Sequence, residues 1–178
     1  MAHFRSHHDW RRSVKTVLQA TQAEDNICVR GWARTVRNGK EVTFIALNDG
    51  TCLDSLQVVA GAGLENFDAV ARLGTGACLV AVGRLVDSPA EGQQWELQAE
   101  SIQIIGGADQ EFPLQKKRHG FEYLRTIGHL RPRSNSFGAV FRVRSALSFA
   151  VHAFFRERGF LYVLTPIITA SDCEGTGD

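Results

Sequence analysis

The chain has 178 residues, 44% of them hydrophobic, and a formal net charge of +1, enough apolar content for one packed core and part of another. No apolar run approaches the roughly 20 residues that span a bilayer, and Met1 to Arg12 lack the apolar centre of a secretory leader, so a soluble cytoplasmic chain is expected. Residues 1–12 form an extension whose His3, His7 and His8 read as solvated rather than as a metal cage. Ile27 to Val36 alternates loosely and ends at Asn38-Gly39, a pair that tolerates positive φ and predicts a hairpin. Val42 to Leu47 follows as a second strand and closes at Asn48-Asp49-Gly50, and Leu56 to Val59 is a short third strand. Leu64, Phe67, Val70, Ala71 and Leu73 then recur at three and four residues, the helical period, and Gly74 and Gly76 stop that helix. Cys78 to Val86 predicts a fourth strand and Trp95 to Ile105 a fifth, separated by a turn at Asp87-Ser88-Pro89. Three strands, a helix and two strands is the order of a five-stranded Greek-key barrel of the oligonucleotide-binding (OB) type, the alternative being an open meander.

Gly106-Gly107 and Pro113 open a basic linker over 106–133 that carries Lys116-Lys117-Arg118-His119. A solvated hinge and a phosphate contact explain that cluster equally well. Phe121 to Leu130 predicts a short helix. Ser134 or Asn135 then caps a long helix in which Val140, Val143, Leu147, Val151 and Phe154 step along one face, and Gly159 ends it. Phe160 to Ile168 reads as a buried strand, with Pro166 unable to donate to a ladder. Cys28, Cys52, Cys78 and Cys173 lie far apart with no Cys-x-x-Cys pair, so neither zinc nor a disulfide framework is indicated.

The near-zero net charge hides a strong segregation. Residues 1–40 carry net +5, 41–111 net −9, 112–158 net +8 and 159–178 net −3. Two basic blocks flanking an acidic one fit an anionic ligand, such as a long polyanion, touched at two places. Such barrels bind single strands by stacking bases on aromatic rings and pairing phosphates with cations. Arg30, Arg34, Arg37 and Lys40 approach the first hairpin, and Phe44 lies on the second strand. Alternation puts Val42, Phe44 and Ala46 on one face and favours packing of Phe44 inside the barrel. Gln57 and Glu96 are polar groups among apolar neighbours that could read a base edge, or could face solvent as ordinary outward polarity. Glu174, in a Gly-rich loop, could hold a substrate ammonium or simply be solvated.

Val29-Arg30-Gly31-Trp32, Asn48-Asp49-Gly50 and Leu56-Gln57-Val58 resemble the anticodon-binding barrel of the class II aminoacyl-tRNA synthetases that charge Asn, Asp and Lys. Lys117-Arg118-His119, Glu122-Tyr123-Leu124-Arg125, His129 through Asn135 and Thr165 through Gly175 are similar to asparaginyl-tRNA synthetase in particular. The resemblance runs from Ser13 to the last residue. It implies an anticodon-binding OB domain at 13–105, the linker at 106–133, and over 134–178 the first helix and strand of a truncated α+β class II catalytic domain. It implies further that Phe44 stacks on the middle anticodon base, a uracil, against the reading from alternation, with Gln57 and Glu96 recognising that neighbourhood. By the same likeness Arg30, Arg34 and Arg37 meet anticodon phosphates or bases, Pro166 lies in the first signature motif that builds a homodimer interface, and Glu174 holds the amino group of asparagine. The implied reaction activates asparagine with ATP and Mg²⁺ and transfers it to tRNA(Asn). The second and third signature motifs of the family lie beyond Asp178, so this stretch alone is expected to be a fragment without a complete catalytic site and without ATP of its own. Aspartyl-tRNA synthetase and a stand-alone OB-fold tRNA or single-strand binding module are the rival readings.

Overall fold

The computed structural model describes residues 12–166 and residue 168. Five strands, β1 (Glu24–Asn38), β2 (Val42–Asn48), β3 (Leu56–Gly61), β4 (Cys78–Asp87) and β5 (Trp95–Gly106), close into a barrel in the order β1-β2-β3-β5-β4. All neighbouring pairs are antiparallel except β3 with β5. The parallel pair shuts the cylinder, so the barrel reading holds and the open meander does not.

Two shorter helices pack on it. Helix α1 (Val14–Leu18) was not expected, although Val14, Val17 and Leu18 carry the three- and four-residue spacing and Ser13 is a capping residue. Ser13 Oγ accepts from Thr16 N at 3.1 Å, and Val14 and Val17 are fully buried. The helix is pinned from across the chain: Val14 N donates to Asp49 Oδ2 at 2.9 Å and Lys15 N to Thr51 Oγ1 at 3.1 Å. The Asn48-Asp49-Gly50 turn is therefore also a docking loop, with Asn48 Nδ2 donating to the Cys52 and Asp54 carbonyls. Helix α2 (Phe67–Ala71), between β3 and β4, is shorter than its periodicity suggests. Asn66 does not cap it, because its Nδ2 instead donates to Ile102 O at 2.8 Å.

Inside the cylinder Ile27, Val29, Ile45, Leu47, Leu56, Val58, Leu79, Leu85 and Leu97 form the core, joined by Val14, Val17 and Val70 from the helices. Trp95 is buried and its Nε1 donates to Ala20 O at 3.0 Å, tying β5 to the end of α1. On β2 the inward residues are Thr43, Ile45 and Leu47. The sequence-based placement of Phe44 in the core is corrected: both faces of β2 are apolar enough to satisfy the alternation rule, and closure of the barrel selects the other one. Thr43 is fully buried, and its hydroxyl has no hydrogen-bond partner among the described residues.

One irregularity sets which side chains face out. The β1–β2 register passes from Ala33↔Leu47 to Thr35↔Ala46, leaving Arg34 as the extra residue of a bulge. Before it, Ile27, Val29 and Ala33 point inward; after it Val36 lies opposite inward-facing Ile45, and Arg37 opposite Phe44. Just before the bulge β1 runs close to β2 at Gly31, where a Cβ would come within 2.5 Å of the Asn48 carbonyl oxygen.

The linker is ordered by its own contacts. Gly76, at φ 97, accepts the ring of Phe112 where any Cβ would collide with it. His119 stacks on Tyr123 at 5.2 Å, and Tyr123 Oη donates to Pro113 O at 3.2 Å. Helix α3 (Phe121–Thr126) buries Leu124, and a single 3-10 turn, Arg131–Arg133, leads into α4 (Asn135–Glu157). The described residues divide into two compact units, one up to Gly138 and one from Ala139 on. In the second, Gly159 at φ 83 reverses the chain so that Phe160 N donates to Phe155 O at 3.1 Å, Phe160 meets Phe155 edge-on and Tyr162 meets His152. The buried strand expected from Phe160 to Ile168 is not formed: Leu161 is 90% and Leu164 81% exposed, since no described residue offers that segment a ladder partner.

Candidate nucleic-acid interface

The outer surface of the barrel is built from the positions that alternate with the core, and strand register fixes their neighbours. Thr35, Ala46, Gln57, Glu96 and Val86 lie opposite one another in a row across β1, β2, β3, β5 and β4. Directly beside it, Arg37, Phe44 and Val59 begin a second row. Four of the predicted contact residues, Arg37, Phe44, Gln57 and Glu96, therefore converge on one outward face. Facing residues on adjacent strands stand ~5 Å apart and successive rows roughly 7 Å apart, dimensions that suit a single nucleobase.

The side chains are already mutually arranged. The Arg37 guanidinium lies 5.8 Å from the centroid of the half-buried Phe44 ring, and Arg37 Nη2 donates to Gln57 Oε1 at 3.4 Å. The cation thus flanks the ring and orients the amide, leaving Gln57 Nε2 as a donor. Glu96 is 6% exposed despite its outward position, because the β4–β5 turn folds over it: Ser88 Oγ donates to Glu96 Oε2 at 3.5 Å, while Ser88 Oγ itself accepts from Gln93 Nε2 at 2.7 Å. A ring, a guanidinium, an amide and a recessed carboxylate give one stacking surface bordered by two donors and one acceptor.

Arg30 and Arg34 are not on this face. Arg30 lies opposite Val80 on β4, roughly 20 Å along β1 from Arg37 at ~3.3 Å per residue. Arg34, in the bulge, donates through Nη2 to Asn135 Oδ1 at 2.7 Å. Beside it the Arg133 guanidinium sits 4.0 Å over the ring of Trp32, so this stretch of β1 is occupied by the end of the linker. Burial pulls the pKa of both Arg34 and Arg133 down from the ordinary value, with Cys78 opposing that slightly for Arg133, yet arginine stays charged. Sequence reasoning missed Trp32 and Arg133 as a pair; a lone exposed tryptophan between two arginines on a strand was the available signal. Lys116, Lys117 and Arg118 are exposed on the linker, and Pro166 is exposed outside any ladder. Glu174 lies outside the described residues. Among the described residues Cys52 and Cys78 are free thiols, and no three His, Cys, Asp or Glu side chains gather as a metal site.

Residues 27–105 match the tRNA anticodon family described as an OB-fold nucleic acid binding domain. The asparagine–tRNA ligase of Geotalea uraniireducens is 60% identical over 168 residues, covering 94% of this chain and 36% of that protein. Asparaginyl-tRNA synthetase from Pyrococcus horikoshii superposes with a TM-score of 0.70 at 24% identity, covering 82% of this chain and 36% of the other. Aspartyl-tRNA synthetase from Entamoeba histolytica gives 0.73 at 16% identity over 89% of this chain and 40% of the other. The backbone alone therefore does not separate the two kinds of synthetase. The chain spans about 36% of the length of the curated relative it matches. Residues 27–105 accordingly match the OB-fold nucleic acid binding domain family, and 94% of the chain aligns with about a third of an asparagine–tRNA ligase at 60% identity.

Proposed function

We propose that this barrel reads the anticodon of tRNA(Asn) for an asparagine–tRNA ligase, the whole protein joining asparagine to tRNA at the expense of ATP. The observation that carries the reading is the convergence of Arg37, Phe44, Gln57 and Glu96 on one outward face. In this reading the middle uracil stacks on Phe44, Gln57 Nε2 donates to one of its carbonyl oxygens, the recessed Glu96 carboxylate accepts from its N–H or from an adjoining base, and Arg37 neutralises a phosphate. The exposed Lys116, Lys117 and Arg118 supply a second, sequence-independent contact to the RNA backbone. That division agrees with the two basic blocks of the chain.

Catalysis is assigned to the whole protein. The described residues gather no donor set fitted to Mg²⁺. Glu174 is proposed to hold the amino group of asparagine and Pro166 to lie at a homodimer interface, both on family likeness. No described helix is long and apolar enough to cross a membrane.

The test is titration of this chain with a tRNA-type anticodon hairpin whose triplet is G-U-U, the complement of asparagine codons. Phe44→Ala is expected to weaken binding about 5- to 150-fold, the worth of one stacked base, and to abolish discrimination against hairpins altered at the middle letter. Equal binding of middle-letter variants by the unmodified chain would sink the reading. Preference for G-U-C, the aspartate triplet, over G-U-U would transfer it to aspartate.

A further inference from the structure

Strand register carries the recognition face beyond the residues named so far. Phe44 lies opposite Val59, Val59 opposite Gln98, and Gln98 opposite Arg84, so the second row continues across β3 and β5 onto β4. Gln98 and Arg84 are exposed, and Gln98 shows no side-chain bond among the described residues. We propose that Gln98 and Arg84 form a second nucleotide subsite, in which the Gln98 carboxamide hydrogen-bonds the edge of the base adjoining the one on Phe44 and Arg84 holds the phosphate beside it. The proposal rests on the anticodon reading above and names the determinants of a neighbouring letter.

Three features lead to it. Gln98 stands two strands from Phe44, about 10 Å away at the ordinary strand spacing, which is too far for the base stacked on that ring and suited to the next one. Between them Val59 offers an apolar floor against which a base can lie. A carboxamide supplies a donor and an acceptor together, the combination that tells one base edge from another. Arg84 is one of only two basic residues, with Arg72, in the acidic stretch 41–111, and it stands in the same row as the stacking ring. Its guanidinium is paired with Glu100 at 3.2 Å, but both side chains are more than half exposed. An exposed pair of this kind is weak, so Arg84 can exchange Glu100 for a backbone phosphate, whose two anionic oxygens meet a guanidinium in the same forked way.

The experiment measures hairpin binding by the chain with the G-U-U triplet and with each letter changed in turn. Gln98→Ala should weaken G-U-U binding by on the order of tenfold, as expected for a lost base-edge hydrogen bond. It should erase discrimination at one flanking letter while keeping it at the middle one. Gln98→Glu, equal in shape but lacking the donor, should give the same loss with an unchanged melting temperature, which separates recognition from folding. Arg84→Gln should weaken all hairpins alike and reduce the slope of log affinity against log salt by about 0.7, one phosphate on a single strand. If the Gln98 variants keep discrimination at both flanking letters, or Arg84→Gln leaves the salt slope unchanged, the subsite is wrong. If that happens while Phe44→Ala still loses the middle letter, the anticodon reading survives; if Phe44→Ala is also silent, both fall.

Discussion

Asp49 shows how much one carboxylate does in a small barrel. Its Oδ2 accepts from the first amide of α1, and its Oδ1 accepts from Thr51 N at 3.0 Å and Thr51 Oγ1 at 2.6 Å. Removing a helix-terminal acceptor costs about 1 kcal/mol. Asp49→Ala should therefore lower the urea midpoint by the equivalent of about 1 kcal/mol with the slope unchanged, and leave hairpin affinity at its original value in the folded range. Phe44 is the converse. A core phenylalanine costs roughly 3 to 5 kcal/mol when cut to alanine, but this ring lies on the outer surface beside Arg37, so Phe44→Ala should lose less than about 1 kcal/mol of stability. A loss at the core level would restore the placement that alternation suggested.

At the scale of elements, the five strands and their order were legible because each is bounded by Gly, Asn, Asp or Pro turns and carries a run of apolar or alternating residues. The face of β2 was not, because Val42, Phe44 and Ala46 are as apolar as Thr43, Ile45 and Leu47, and only closure of the cylinder chooses between them. Helix α1 escaped notice because five residues make barely more than one turn, too short for periodicity to stand out from its surroundings. The 160–168 segment was read as a strand from its apolar content, but a strand exists only where a ladder partner meets it. Of the site, the residue types were visible and their grouping was not: Arg30, Arg34 and Arg37 look equivalent along the chain, while the bulge sends Arg34 to Asn135 and Arg37 to Phe44. Helix α1 supplies its own prediction. Val14 and Val17 are fully buried and Ala20 O receives the Trp95 indole; burying a valine is worth about 1.5 to 3 kcal/mol. A chain beginning at Gln22 should thus be less stable by roughly 3 kcal/mol or more, with its tryptophan emission shifted toward that of exposed indole.

For the whole molecule, recognition and charge are divided between places. The outward face of the barrel carries Arg37 and Arg84 singly, and the dense positive charge lies on the linker at Lys116, Lys117 and Arg118, so the proposed reading puts letter discrimination and overall affinity in different residues. Closure has a consequence of its own. Because β1 is stitched to β2 along one margin and to β4 along the other, it is the shared hem of two seams, and no other strand could be loosened so early in the chain with effects so far downstream. Ala33→Gly, beside Trp32, which lies opposite Asn48 of β2 and Cys78 of β4 at once, thins that hem on the inside and should raise amide hydrogen exchange in β2 and β4 together, whereas Val58→Ala in β3 should raise it first in β2 and β5. Were the two margins of β1 to open independently, the ring would be acting as two sheets that merely touch.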